Sequence, residues 1–102
     1  MEQIQIMHNF FAAILYDPRI GVSHIALYMA LYRCWIKEGG TGPVSAFSHE
    51  IMPIAKIAGS ATYHRVLREL DEYGYLKYEP SFNRMRRSRM YLAEPAALDA
   101  GN

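Results

Sequence analysis

The sequence predicts one small domain, mainly α-helical with a small β-hairpin, which is an α+β arrangement. Between Ser60 and Tyr73, apolar and aromatic residues recur at spacings of three and four, typical of a helix with one buried face. They are Tyr63, Val66, Leu67, Leu70 and Tyr73. Two short strand-like segments follow Gly74. The 102 residues suffice for one core, and a hydrophobic fraction of 51% allows it to be packed.

Residues 1–22 are predicted to form an N-terminal arm with one short helix from Asn9 to Asp17. Asn9 is a good helix cap, and Pro18 disfavours helical backbone in the residue before it. The apolar residues of this arm are Ile4, Ile6, Met7, Phe10, Phe11 and Ile14. They fit two alternatives equally, a contact between two copies of a homodimer or packing onto the next helix.

The second predicted helix runs from Ser23, as its cap, to Glu38, and Gly39-Gly40 ends it. Its apolar residues surround most of its circumference, so we expect a central helix that is buried on several sides. Cys34 lies within it and is expected to be a small core residue rather than a nucleophile.

Residues 41–59 are predicted to contain a turn, a short strand and two short helices. Val44-Ser45 follows the turn as a strand of a small sheet. Pro53 removes a helical hydrogen bond, which predicts one helix over about 46–51 and another from Pro53 to Ile57. Gly59-Ser60 then leads into the helix that Gly74 ends.

Positive charge is concentrated in the last third of the chain. The formal net charge is only +1, and residues 1–59 hold four basic and four acidic residues. Residues 60–92 hold seven basic residues against four acidic ones, and four arginines occur within positions 84–89. A local positive field of this kind is expected at a surface that binds nucleic acid.

The order helix, short helix, turn, helix, hairpin is that of a winged helix-turn-helix domain, a three-helix core plus a wing, over residues 23–92. The spacing of Thr62, Arg65, Leu67, Leu70 and Gly74 resembles the recognition helix and first wing strand of bacterial winged-helix regulators. A longer match, from Ala61-Thr-Tyr-His64 to Ser88-Arg89-Met-Tyr91-Leu92, is similar to small winged-helix proteins of bacterial mobile genetic elements. The resemblance covers roughly residues 25–92.

This resemblance implies that the 60–73 helix lies in the major groove of double-stranded DNA and that the wing contacts the backbone or the minor groove. The candidate DNA-binding residues are Ser60, Thr62, His64, Arg65, Arg68, Asn83, Arg84, Arg86, Arg87 and Arg89. Arg65 is the candidate for reading guanine and Arg68 for contacting phosphate. Only the first two turns of the helix are expected to approach DNA, because its far end is acidic at Glu69, Asp71 and Glu72.

Each basic group also has a plainer interpretation. Arg65 and Arg68 would form a solvated helix face that pairs with Glu69 and Glu72, and His64 would pack at the turn. The hairpin arginines would only keep the loop soluble. We favour DNA contact for the arginines because a helix cap, an exit glycine and a basic hairpin occur together.

No catalytic, cofactor or metal site is expected, because the four histidines are scattered and the chain has a single cysteine. Met1-Glu-Gln-Ile-Gln lacks the basic start of a signal peptide, and no apolar run is long enough to cross a bilayer, so we expect a cytoplasmic protein. The expected function is sequence-specific DNA binding by a homodimeric transcriptional regulator. The alternatives are an origin-binding or mobile-element accessory protein and a protein-interaction module. Residues 93–102 are expected to form a flexible tail.

Overall fold

The computed structural model describes residues 2–92, which form four helices and a three-stranded antiparallel sheet. In chain order these are α1 (Glu2–Ile14), α2 (Val22–Lys37), β1 (Val44–Ala46), α3 (Ser48–Ala55), α4 (Ser60–Glu72), β2 (Lys77–Glu79) and β3 (Ser88–Tyr91). The predicted mainly helical α+β class is therefore confirmed. The predicted tail at 93–102 lies outside the described residues. No helix within residues 2–92 has the length and apolar character needed to span a membrane.

Helix α2 lies at the centre of the fold, as its apolar circumference predicted. It packs against α3, α4 and β1, and Leu27 and Leu31 are completely buried. The indole N–H of Trp35 donates to the Gly42 carbonyl at 3.0 Å, which connects α2 to the turn before β1. Gly39 and Gly40 follow α2 with positive φ angles, and the Gly40 N–H donates back to the Trp35 carbonyl.

Helix α1 begins earlier than the sequence predicted. The predicted start at Asn9 is wrong, because Asn9 lies within the helix and its side-chain oxygen accepts from Gln5, one turn before it. Phe10 stacks on Tyr28 of α2 with ring centroids 3.8 Å apart, and Ile6 and Ile14 pack against the same core. One turn of the helix separates each of these three residues from the next, so their stripe extends the helix toward its N-terminus. The predicted end at Asp17 is also wrong, because α1 ends at Ile14.

The predicted caps and breaks around α2 and α3 also need correction. Gly21, rather than Ser23, caps α2, and its N–H donates to Nδ1 of His24 at 3.0 Å. The two short helices predicted around Pro53 are instead the single helix α3. Proline there removes only the bond to the His49 carbonyl, and both residues are exposed, so water can replace that bond.

The sheet has the order β1-β3-β2, so the last strand is central. Met90 of β3 pairs with Val44 of β1 on one side and with Tyr78 of β2 on the other. Met90 and Val44 are completely buried. The predicted strand at Val44-Ser45 and the predicted hairpin are both confirmed, and residues 80–87 form the loop that joins β2 to β3, hereafter the hairpin loop.

Helix α4 buries the face that its spacing predicted. Tyr63, Val66, Leu67 and Leu70 are buried, and Tyr73 follows as a half-buried residue. Gly74 has a φ of 89°, and the Tyr75 N–H donates to the Leu70 carbonyl, so the predicted glycine stop is confirmed.

A polar cluster connects the turn after α1 to the segment between α4 and β2. Asp17 accepts two hydrogen bonds from the Arg19 guanidinium at 2.8 Å each and one from the Tyr75 hydroxyl at 2.5 Å. Arg19 also lies 4.0 Å from the centre of the Tyr73 ring. These hydrogen bonds hold the pKa of Asp17 well below its usual range.

Candidate functional site

A groove of about 490 Å³ lies where the start of α3, the first half of α4 and the hairpin loop meet. Its lining residues are Ala46, Phe47, Ser48, His49, Tyr63, His64, Tyr78, Ser81, Asn83, Arg84, Arg86 and Ser88. Among these described side chains, two are arginines, two are histidines and none is acidic. The lining therefore presents hydrogen-bond donors and positive charge to any molecule that enters the groove.

His64 lies on the edge of α4 that faces the groove. Its Nδ1 atom is 2.9 Å from the Ser60 carbonyl oxygen, and its ring meets Tyr63 edge-on with centroids 5.1 Å apart. Because a carbonyl oxygen only accepts, Nδ1 carries the proton in this contact. The Nε2 atom then remains available to a ligand, as an acceptor in the neutral ring and as a donor in the protonated one.

The outer face of α4 carries Arg65 and Arg68. Arg65 donates to Oε1 of Glu69 at 3.1 Å, so its charge is paired in the free protein. The Arg65 side chain is exposed, and an ion pair that water reaches in this way is weak, so a stronger acceptor can replace the glutamate. Arg68 forms no ion pair with any residue in 2–92.

Glu69 is not a freely solvated residue of the outer face of α4. It is half-buried, and its Oε1 also accepts from Nε2 of the buried His24 at 2.7 Å. Nδ1 of His24 accepts the Gly21 N–H, so the proton of the neutral ring is on Nε2. The His24 and Arg65 contacts together lower the pKa of Glu69. Glu69 therefore links α4 to the start of α2.

The hairpin loop is ordered by its own hydrogen bonds. The Ser81 N–H donates to Oγ of Ser88 at 3.1 Å across the loop base. Asn83 organises the tip, because its side-chain oxygen accepts the Met85 N–H and its carbonyl accepts the Arg86 N–H, both at 2.9 Å. Asn83 was predicted as a DNA-binding residue, and in the free protein its side chain shapes the loop.

Arg87 connects the hairpin loop to the start of α3. Its guanidinium donates twice to the Glu50 carboxylate, at 3.0 and 3.1 Å, and lies 4.7 Å from the centre of the Phe47 ring. Glu50 also accepts the Phe47 N–H at 2.8 Å. The Arg87 and Phe47 contacts lower the pKa of Glu50 from 4.5 to about 2. The carboxylate therefore stays charged and offsets the charge of Arg87.

The remaining hairpin arginines keep their charges available. Arg84 and Arg86 line the groove, and Arg89 is exposed on β3 opposite Glu79 of β2. Within residues 2–92, none of the three lies within ion-pair distance of a carboxylate. Arg84 and Arg86 of the loop therefore lie at the groove together with His64 of α4.

The structure brings four of the ten predicted DNA-binding residues together in the groove: His64, Asn83, Arg84 and Arg86. The other six do not line it. Ser60, Thr62, Arg65 and Arg68 lie along α4, Arg87 is paired with Glu50, and Arg89 lies on β3.

Sequence reasoning missed the contribution of α3. Phe47 and His49 line the groove and stack on one another with centroids 5.2 Å apart, while Glu50 holds Arg87. The Phe47-Ser48-His49-Glu50 segment carries one usable signal, a glutamate three residues after the capping position. That pattern predicts where a helix starts, but it gives no indication that an arginine 37 residues later contacts it.

Within the described part of the chain, no group of three or more His, Cys, Asp or Glu side chains is arranged to hold a metal ion. Cys34 is half-buried, and burial raises the pKa of its thiol, which makes it a weak nucleophile.

Comparison of the chain with protein-family models, with curated proteins and with solved structures gives no significant match. The function is therefore inferred from the site itself.

Proposed function

We propose that this chain is a winged helix-turn-helix protein that binds double-stranded DNA and regulates transcription. The observation that carries the proposal is the groove between α4 and the hairpin loop, where unpaired arginines meet a lining without acidic side chains. Binding to phosphates by arginine is the sequence-independent part of DNA affinity. The order of α2, β1, α3, α4 and the β2–β3 hairpin supports the winged-helix assignment, with the hairpin loop as the wing.

The first half of α4 is the element proposed to enter the major groove. His64 and Arg65 are adjacent in the sequence, with His64 at the groove edge and Arg65 on the outer face of α4. Arg68 follows Arg65 about one turn later. Arg65 exchanges Glu69 for guanine, and Arg68 contacts phosphate. The acidic far end of the helix would repel the backbone, which limits the approach to the part of α4 that precedes Glu69.

The wing is proposed to hold the backbone through Arg84, Arg86 and Arg89. Arg87 has a different role in this proposal, because its charge is already offset by Glu50. It positions the wing against α3 so that Arg84 and Arg86 face the DNA. This role replaces the direct contact that the sequence predicted for Arg87.

A homodimer is the proposed active form, because helix-turn-helix proteins commonly bind two half-sites as two-fold pairs. Phe10, Ile6 and Ile14 pack within the monomer, so the contact falls to the exposed residues of α1. Ile4 and Phe11 are exposed and lie two turns apart on the same helix face.

Fluorescence anisotropy of a labelled random duplex, titrated with the full chain at several salt concentrations, tests the proposal. The slope of log affinity against log salt should be about −0.9 per phosphate neutralised, hence about −5 or steeper for a dimer with six contacts. Arg84→Glu and Arg86→Glu should weaken binding and make the slope shallower. Arg33→Glu makes the same charge change on α2, outside the groove lining, and should leave both nearly unchanged.

Absence of binding at low salt would remove the DNA-binding proposal and favour a protein-interaction module. A second groove, of about 510 Å³, favours that alternative, since mostly apolar residues of α2 and the end of α3 line it. Binding that depends on salt but shows no preference among promoter sequences would favour another kind of DNA-binding protein. That alternative is an origin-binding or mobile-element accessory protein.

A further inference from the structure

The tip of the hairpin loop exposes two large apolar side chains. Phe82 is 97% exposed and Met85 is 83% exposed. Exposed apolar residues are common on proteins when they occur singly. Here Phe82 precedes Arg84 by two positions and Met85 lies between Arg84 and Arg86, so apolar and cationic side chains are mixed along the tip.

The exposure of these side chains is built into the loop. Ser81 and Asn83 hold the backbone on both sides of Phe82, through the Ser81 hydroxyl bond to the Asn83 carbonyl at 3.0 Å and the Asn83 side-chain bond to the Met85 N–H. Arg87 fixes the end of the loop on α3 through Glu50. The backbone that carries Phe82 is therefore held in place before binding. This reduces the conformational entropy that is lost when the ring becomes ordered on a partner.

The neighbouring charges identify the kind of partner that fits this tip. Arg84 and Arg86 line the basic groove and have no carboxylate within ion-pair distance in residues 2–92. A fitting partner therefore offers anionic groups to the arginines and, beside them, an apolar opening that can receive the Phe82 ring. Duplex DNA offers both, because phosphates border the minor groove and stacked base pairs open at flexible steps.

We propose that Phe82, with Met85 beside it, enters the minor groove next to the α4 contact and wedges apart a base step, bending the duplex. Phenylalanine and methionine are among the side chains that proteins insert between base pairs in this way. Pyrimidine–purine steps are the preferred target, since they unstack most easily. The inference rests on the proposed DNA binding and adds to it a mechanism of bending and a preference for a flexible step.

The test uses the full chain and a duplex with a donor and an acceptor dye at its two ends. Anisotropy measures binding, and energy transfer between the dyes measures bending. The wild type should increase energy transfer on binding, more for a duplex with a central TA step than for one with a central GC step. Phe82→Ala should abolish the increase but weaken binding by no more than about tenfold, because phosphate contacts supply most of the affinity.

Tyr16→Ala is the matched control, since it truncates an aromatic side chain that is 88% exposed and lies outside the groove lining. It should bind and bend DNA like the wild type. Wild-type binding without a change in energy transfer would overturn the wedge and leave the DNA-binding proposal intact. Equal bending by Phe82→Ala and the wild type would also overturn it. Failure of the wild type to bind any duplex would overturn both proposals.

Discussion

One carboxylate oxygen on α4 serves two donors from different parts of the chain. Oε1 of Glu69 accepts from the buried His24 of α2 and from the exposed Arg65 one turn earlier on α4. The buried contact fixes the carboxylate, and the exposed one is the weaker of the two. Arg65 is therefore held on α4 by the weaker contact, and its side chain stays exposed to any stronger acceptor.

The first prediction concerns Arg65. If it reads guanine, Arg65→Ala should weaken binding to a preferred site selectively, by about 1–3 kcal/mol of discrimination, and should reduce binding to random duplex much less. Competition anisotropy with selected and random duplexes measures the difference. Arg68→Ala is the matched comparison and should weaken both duplexes equally. An equal loss on both duplexes for Arg65→Ala would assign Arg65 to phosphate instead.

At the scale of elements, Glu50 determines how the hairpin loop lies against α3. Among the described residues, the loop is held by its own local hydrogen bonds, by this bidentate ion pair and by the Arg87 contact with the Phe47 ring. The pair is partly exposed, so its value lies in orientation more than in stability. Its geometry keeps Arg84 and Arg86 at the groove.

The second prediction is a pH dependence that Glu50 causes. Its pKa in the folded protein is about 2, below the ordinary value of 4.5, so its contribution to stability is full above about pH 4.5 and disappears as the pH falls towards 2. The difference in unfolding midpoint between the wild type and Glu50→Gln should therefore narrow over that range. Circular dichroism during thermal unfolding measures it.

Glu72→Gln provides the control for that experiment, since Glu72 is an exposed carboxylate of α4 without an ion pair in residues 2–92. The difference in unfolding midpoint between the wild type and Glu72→Gln should not narrow in this way. Carboxylates titrate at acidic pH. If the difference in unfolding midpoint between the wild type and Glu50→Gln stayed constant from about pH 6 to pH 2, the role assigned to Glu50 would be wrong.

The elements that sequence reasoning predicted are those whose signals are local. The apolar spacing of α4, the all-round apolarity of α2 and the glycine after each helix depend on neighbours in the chain, and all three predictions are confirmed. Asn9 misled the prediction of α1, since cap preferences are weak against tertiary packing. Pro53 misled the prediction of α3, since the hydrogen bond that it removes lies on an exposed part of the helix. The groove depends on contacts between residues that are distant in the sequence, such as Arg87 with Glu50, which lies 37 positions earlier, and no spacing rule supplies such contacts.

At the scale of the whole molecule, the Asp17 cluster joins two distant segments. Tyr75 follows α4, Asp17 follows α1, and 58 positions separate them in the sequence. Burial and the bond to Asp17 together raise the pKa of Tyr75 to about 12, so its hydroxyl remains a donor at all physiological pH values. The cluster holds α1 on the domain without using any groove residue.

The third prediction is that Tyr75→Phe lowers the midpoint of urea unfolding and leaves DNA affinity unchanged. The variant removes the hydroxyl that donates a hydrogen bond to the Asp17 carboxylate. Tyr75 does not line the groove, so DNA contacts are not affected. Tyr16→Phe removes a hydroxyl that is exposed to water and should leave the midpoint unchanged. Equal midpoints for the two variants would show that the Tyr75 hydroxyl contributes nothing to stability.

The last prediction concerns pairing through α1. Light scattering on the wild type should give twice the monomer mass at micromolar concentration, and Phe11→Glu should give a monomer that remains folded. Val22→Glu places the same charge on an exposed apolar residue of α2, off the proposed contact, and should remain dimeric. A wild type that stays monomeric at every concentration, including when bound to DNA, would exclude the homodimer.

Trp35 gives the molecule a natural optical reporter. It is the single tryptophan of the chain, it is 2% exposed, and it does not line the groove. Its emission should therefore shift to longer wavelength when the core opens to water and should stay constant when DNA binds. Unfolding can then be followed in the presence of DNA without a dye, so that stabilisation by bound DNA becomes a second, independent route to the affinity.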